Sequence, residues 1–198
     1  MSAIATPLPE TRAAWTLPYR GKVGIACLII AESSIFTIFV VAYLYYVGKS
    51  PAGPTPGEVL ETPIFYTICL LSSSLTVHLA ARFLQSGSRG AFLTLWFLTI
   101  VLGGLFLFGT GQEWHRLIYE HGLTISTNLF GTTYYSLVGL HASHVTAGLI
   151  MLTTVLLFGL AGRVGSEQSA RVEVLSLYWH FVDVVWVVVF TVVYVLGR

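Results

Sequence analysis

Apolar residues run along this chain in five long blocks, at about residues 23–47, 64–84, 91–111, 129–160 and 174–196. Polar, proline-bearing or glycine-bearing stretches separate them. A hydrocarbon core about 30 Å thick takes roughly 20 helical residues to cross, so each block is long enough to span a membrane. The fourth exceeds that need and is expected to tilt or to project beyond the bilayer. All seven prolines lie at or before Pro63 and outside the blocks, so no predicted span carries a proline kink. The stretch "SPAGPTPGE" (50–58) reads as a proline/glycine loop. No connection between blocks reaches 20 residues, which leaves no room for a soluble catalytic domain. The pattern predicts an all-α integral membrane protein, a bundle of five transmembrane helices.

Composition strengthens that reading. Only 10% of the 198 residues are charged and 55% are hydrophobic, against roughly 25% charged in an ordinary soluble domain. So few charges cannot cover a water-facing surface. A net charge of +1 argues against a nucleic-acid partner. Residues 1–22 lack the apolar run of a cleavable signal and read as a tail outside the membrane, leaving 23–198 as the membrane domain. The two cysteines, Cys27 and Cys69, fall inside apolar blocks at depths about 10 Å apart. They are expected to be buried, inert thiols that do not pair.

The basic residues give an orientation. Arg12, Arg20, Lys22, Arg82, Arg89, Arg163 and Arg171 fall on one side, against Lys49, Arg116 and Arg198 on the other. Lys and Arg are retained on the cytoplasmic side. The amino terminus is therefore predicted cytoplasmic and the carboxyl terminus external, in the cell's inner (plasma) membrane.

Ionisable side chains inside the blocks carry the candidate chemistry, because each is costly at membrane depth and needs a partner. Glu32, in "LIIAESSIF", lies ten residues beyond Lys22, and Asp183 lies ten beyond Glu173. Both are placed about 15 Å from the same boundary, near the midplane. His141 and His144 are one turn apart in "GLHASHV". An i, i+3 histidine pair is more often an interhelical hydrogen-bonding device than a metal site. His180 and Asp183 are spaced for a direct hydrogen bond, or each can cross to a neighbouring helix, and both read as polar glue within the bundle. His141, His144 and His180 could in principle converge on a metal, and the structural reading is preferred. Glu32 shares its span with no cation, and a lone desolvated carboxyl favours its neutral form. A structural neutral Glu32 and a proton-handling Glu32 are equally open.

The remaining polar groups say less. His78 and Arg82 stand at i, i+4 near one end of the second block. Glu113, Trp114, His115 and Arg116 read as an interfacial girdle. Gly103 and Gly104 are expected to permit close helix contact.

Three segments resemble a known family. "YWHFVDVVW" (178–186) is similar to the motif near the carboxyl end of cytochrome c oxidase subunit III, of the haem–copper oxidases. "FGTTYYSLVGLHASHVTAG" (130–148) resembles that family's Gly-Ser/Thr-Thr-aromatic stretch followed by Phe-His-Gly-Leu-His-Val. "AESSIF" (31–36) resembles its Ser-Glu-x-x-Phe-Phe helix, whose carboxyl is the site of carbodiimide modification, which implies Glu32. Glu173 falls where the family has an acidic residue. The likeness runs in order from about Lys22 to Arg198. Ala31 replaces the usual serine, and "LHASHV" replaces the commoner histidine motif. Longer members have seven helices with lipid in the cleft behind the first two, which this chain lacks.

The resemblance implies a non-catalytic subunit of a respiratory terminal oxidase that reduces oxygen and translocates protons. Such a subunit packs with subunits I and II, supports proton uptake and the durability of the complex, and has no catalytic residue, metal or cofactor of its own. Haem and copper belong to the partner subunits. Membrane lipid, including bound phospholipid, is the remaining ligand the resemblance allows. Subunit III of a quinol oxidase and a nitric oxide reductase-associated homologue share the fold. A free-standing proton-coupled transporter using Glu32 and Asp183 is the rival of another class, and no internal repeat or broken helix of the transporter kind supports it.

Overall fold

A computed structural model describes residues 20–197. Residues 1–19, most of the predicted tail, lie outside the described residues. The helices in chain order are α1 (Arg20–Tyr46), the one-turn α2 (Pro56–Val59), α3 (Ile64–Gln85), α4 (Arg89–Tyr119), α5 (Leu129–Leu160) and α6 (Ser169–Phe190). A 3-10 turn over Ser166–Gln168 leads into α6, and a π-helical segment over Thr191–Leu196 continues it. Five of these units are long and apolar enough to cross a membrane. The predicted spans are reproduced to within a few residues, except that α4 runs eight residues past the expected end at Gly111. Nothing in that stretch breaks a helix until Gly122, whose φ is +63°.

Packing separates a tight core from a peripheral helix. α3 and α4 form the closest antiparallel pair. α6 lies against α1, α3 and α5, and α4 packs on α5. More than half of the sixth unit's apolar window is buried, against about a tenth of α1's. This peripheral position corrects the expectation for Cys27: it is exposed on the outside of α1, while Cys69 is buried as expected and both thiols are free. A helix with a single packed face must turn most of its residues outward.

Glycines set two of the closest approaches. Cβ atoms built on Gly103 of α4 and Gly148 of α5 would fall 2.8 and 2.7 Å from the Trp179 ring of α6. That indole therefore fills a slot that only glycine leaves open. Gly104 corrects the sequence reading, because a Cβ there would meet nothing within 4 Å. Only one glycine of the pair faces a neighbour.

The basic flanks gather at one end of the bundle. Lys22 of α1 pairs with Glu173 of α6 at 2.8 Å, and the Arg89 guanidinium donates to the Gly159 carbonyl at the end of α5 at 2.7 Å. At the opposite end the expected girdle does not simply line the interface. Glu113 turns inward to accept a hydrogen bond from the Tyr194 hydroxyl at 2.8 Å, and Arg116 pairs with Glu61. The extra turns of α4 carry these side chains over the end of α6.

Candidate functional site

α1 crosses α5 where Glu32 meets His144. Glu32 Oε2 lies 3.1 Å from His144 Nε2, and the two side chains are about one-fifth and one-seventh exposed. His144 Nδ1 lies 2.8 Å from the Leu140 carbonyl one turn earlier. A carbonyl only accepts, so Nδ1 carries a hydrogen and donates. A hydrogen bond between Nε2 and Oε2 then requires one proton shared between them. With that proton on the histidine the pair is imidazolium–carboxylate; on the glutamate it is neutral imidazole–carboxylic acid. Without it, two acceptors would face each other. The contact ties α1 to α5 through one hydrogen bond.

A cavity of about 400 Å³ opens beside this pair, lined by Ile25, Leu28, Met151, Val174, Leu175 and Tyr178 as well as Glu32 and His144. Tyr178 also donates its hydroxyl hydrogen to the His144 carbonyl at 3.2 Å. Phe36, one turn beyond Glu32, sets its ring 5.0 Å from that of His144, closing the far side with apolar surface. The cations of the Glu32 helix, Arg20 and Lys22, lie at its start, about three turns away, and its partner comes from 112 residues away.

His141 behaves differently from His144. It is fully buried, its ring stacks on Trp186 with centroids 5.0 Å apart, and the Phe106 ring meets it edge-on at 5.7 Å. Neither ring nitrogen has a hydrogen-bond partner among the described residues. One helical turn thus carries one histidine into the aromatic core and the other to α1. Together with His180 they do not form a ligand set: among the described residues no three His, Cys, Asp or Glu groups are placed to hold a metal.

His180 turns to α3 and not to Asp183. Its Nδ1 lies 2.6 Å from Ser74 Oγ, and its Nε2 lies 3.3 Å from Ser176 Oγ. The seam between α3 and α6 continues in both directions. Trp179 Nε1 donates to Ser73 Oγ at 2.8 Å, and Trp186 Nε1 donates to Thr67 Oγ1 at 3.1 Å. Asp183 sits in the same seam, 3% exposed, with both carboxyl oxygens unpartnered among the described residues. Polar glue thus describes His180 but not Asp183. Sequence reasoning missed Thr67, Ser73 and Ser74, although three serines in a row in "LLSSSL" (70–75) were a visible signal. It also missed the Glu113–Tyr194 contact.

The family model for cytochrome c oxidase subunit III matches residues 18–198. Cytochrome c oxidase subunit 3 of Synechocystis sp. is 40% identical over 178 residues, covering 87% of this chain and 74% of that protein. Its namesake from Alkalihalophilus pseudofirmus is 33% identical over 193 residues, with 96% and 94% covered. Cytochrome bo(3) ubiquinol oxidase subunit 3 of Pseudomonas aeruginosa is 32% identical over 176 residues, with 88% and 84% covered.

Proposed function

The chain belongs to the cytochrome c oxidase subunit III family, and from that premise we propose that it supports proton uptake in its oxidase without cofactors of its own. As a haem–copper oxidase subunit III it is one multi-pass membrane chain of a hetero-oligomeric respiratory complex. Membership removes the free-standing transporter. The finer reading is that it packs with the catalytic subunit I and with subunit II, which hold the haem and copper, in the cell's plasma membrane. Cytochrome c is the proposed electron donor, since relatives at 33–40% identity carry that name. The Pseudomonas relative favours quinol as the second reading, and oxygen consumption with each reduced donor in turn decides between them.

The Glu32–His144 pair is the observation that carries the proton role. The Glu32–His144 hydrogen bond joins α1 to α5, and on this reading a proton passes between its nitrogen and oxygen with no rearrangement of either helix. Glu32→Gln keeps the size and a hydrogen bond to His144 but ends proton exchange at that atom. The assembled variant oxidase is expected to show altered proton stoichiometry or a shortened working lifetime. Normal values of turnover, stoichiometry and lifetime would refute the proton role. A hydrophobic carbodiimide is expected to label Glu32 and to spare Glu173, which is held by Lys22.

Two expectations accompany this. Metal analysis of the purified subunit should find no stoichiometric haem, copper or zinc; one tight ion lost on changing His141 or His144 to Ala would overturn that. Basic residues crowd the end of the bundle that holds Lys22, Arg82, Arg89, Arg163 and Arg171, so reporters should place the amino terminus in the cytoplasm and the carboxyl terminus outside. Equal signals from both ends would contradict an odd number of spans.

A further inference from the structure

The Glu32–His144 pair between α1 and α5 leaves the enclosed acid of α6 unexplained. Asp183 is almost wholly enclosed and neither of its oxygens has a partner among the described residues. Burying an unpaired carboxylate costs far more than any one contact returns, and such a group keeps a proton or recruits water. Among the described residues no charged group bears on the carboxyl itself, and the hydroxyl that approaches it is that of Ser74, without closing a hydrogen bond in this geometry. The same hydroxyl is bonded to His180. Tyrosines and cysteines apart, the titratable or charged groups on the elements packed around Asp183 are Arg20, Lys22 and Glu32 on α1, His78 and Arg82 on α3, His141 and His144 on α5, and Arg171, Glu173 and His180 on α6. α4 carries none between Arg89 and Glu113, and Glu32 on α1 is engaged by His144.

A cavity of about 300 Å³ lies just below, between α3 and α6. His78, Arg82, Gln85, Glu173, Ser176 and His180 contribute its polar lining. The cavity opens to the surface, where His78, Arg82 and Gln85 are exposed, and runs in to the half-buried Glu173 and His180 and the buried Ser176; this polar lining offers a water the two to four partners it needs. Its lower end is the Lys22–Glu173 ion pair at the bundle's basic end, and its upper end is His180, whose ring lies 6.2 Å from that of His78. Asp183 stands one turn further, about 4.5 Å along the axis. The polar groups thus line up from the charged end of the bundle towards the enclosed acid, with the Ser74–Asp183 link not closed in this geometry.

We propose that this α3–α6 cavity is a water-holding vestibule through which the Asp183 carboxyl exchanges its proton with the aqueous phase at the Lys22–Glu173 end, by way of Ser74 and His180. In each exchange Asp183 gives its O–H proton to the Ser74 oxygen as the Ser74 hydrogen passes to His180 Nδ1. His180 releases a proton from Nε2 to vestibule water, and uptake runs in reverse. The site is independent of Glu32 and survives if that residue proves purely structural.

The test uses the assembled oxidase in lipid vesicles with Cys27→Ala and Cys69→Ala as background. Ser176→Cys places a small thiol in the cavity wall, and Val184→Cys places one on the outer face of α6, where Val184 is 64% exposed. A small charged methanethiosulfonate added at the Lys22 side is expected to modify Ser176→Cys several-fold faster than Val184→Cys. Infrared spectra should contain a protonated-carboxyl band that is lost in Asp183→Asn and shifts when the buffer is changed to D2O. If Asp183→Asn does not assemble, Asp183→Glu moves the band and makes the same assignment. Ala81→Leu, which narrows the cavity from a buried wall position, should slow the D2O shift without removing the band. A thiol at 176 no faster than at 184, a band that never exchanges, or exchange that ignores Ala81→Leu would each overturn the proposal.

Discussion

Gly148→Val is expected to strip this subunit from its complex more completely than the loss of any single hydrogen bond in the bundle. A Cβ at Gly148 would lie 2.7 Å from Trp179 Cζ3 and 2.8 Å from Cε3, well inside contact distance. The indole cannot simply swing away. It is fully buried, its Nε1 is committed to Ser73 Oγ at 2.8 Å, and Gly103 bounds its other edge at a similar distance. Overpacking a filled core costs about 1–3 kcal/mol per site, and valine adds two methyl groups beyond the clashing Cβ. Interhelical hydrogen bonds in membranes average only about 0.6 kcal/mol, so the glycine slot outweighs the Ser73 bond it positions. Gly103→Val should match Gly148→Val, whereas Gly104→Val, with open space around its Cβ, should leave assembly unchanged. Trp179→Ala should itself cost about 3–5 kcal/mol through the cavity it leaves. Gly148→Val combined with Trp179→Ala should fall well short of the sum of the two, because residues in contact couple. The fraction of purified oxidase retaining the subunit measures all five. Equal losses at 103 and 104 would sink the slot.

That contrast between adjacent glycines marks where sequence reading stops. The five spans were legible because length and apolar content suffice to define them, and a membrane forces helices wherever the chain crosses it. The depths assigned to Glu32 and Asp183 rest on the rise per residue alone. Which way each side chain points could not be read in that way, because apolar residues surround every span and leave no polar face to orient it. Hence "HASH" could not reveal that His144 meets Glu32 while His141 stacks on Trp186. Nor could "GG" show which glycine admits a tryptophan. The end of α4 was misjudged for another reason. Glu113, Trp114, His115 and Arg116 are interfacial by composition, yet the helix continues and buries Glu113 against Tyr194. Spacing within a helix also suggested a His180–Asp183 bond that α3 outcompetes, since Ser74 offers His180 a partner at 2.6 Å.

Removing both members of the Glu32–His144 pair is expected to do less damage to assembly than removing either one. Glu32→Leu leaves His144 Nε2 at membrane depth without its partner at 3.1 Å, and His144→Leu leaves the Glu32 carboxyl in the same position. An orphaned buried polar group costs about 1–3 kcal/mol, while replacing both partners with apolar groups of similar shape is nearly neutral. The cavity beside the pair, lined by Ile25, Leu28 and Met151, accepts leucine side chains without a clash against polar atoms. Retention of the subunit should therefore drop in each single variant and recover in Glu32→Leu/His144→Leu. Proton stoichiometry or working lifetime should follow another pattern. The shared proton needs both atoms, so the two singles and the double should all be altered, to a similar degree, in whatever fraction assembles. The two readouts separate what the pair holds together from what it carries. A double variant that assembles and pumps like the parent would mean that the pair only packs α1 against α5. A double variant that assembles no better than the singles would mean that Glu32 and His144 each meet another partner in the complete oxidase, and the shared proton would be lost with their contact.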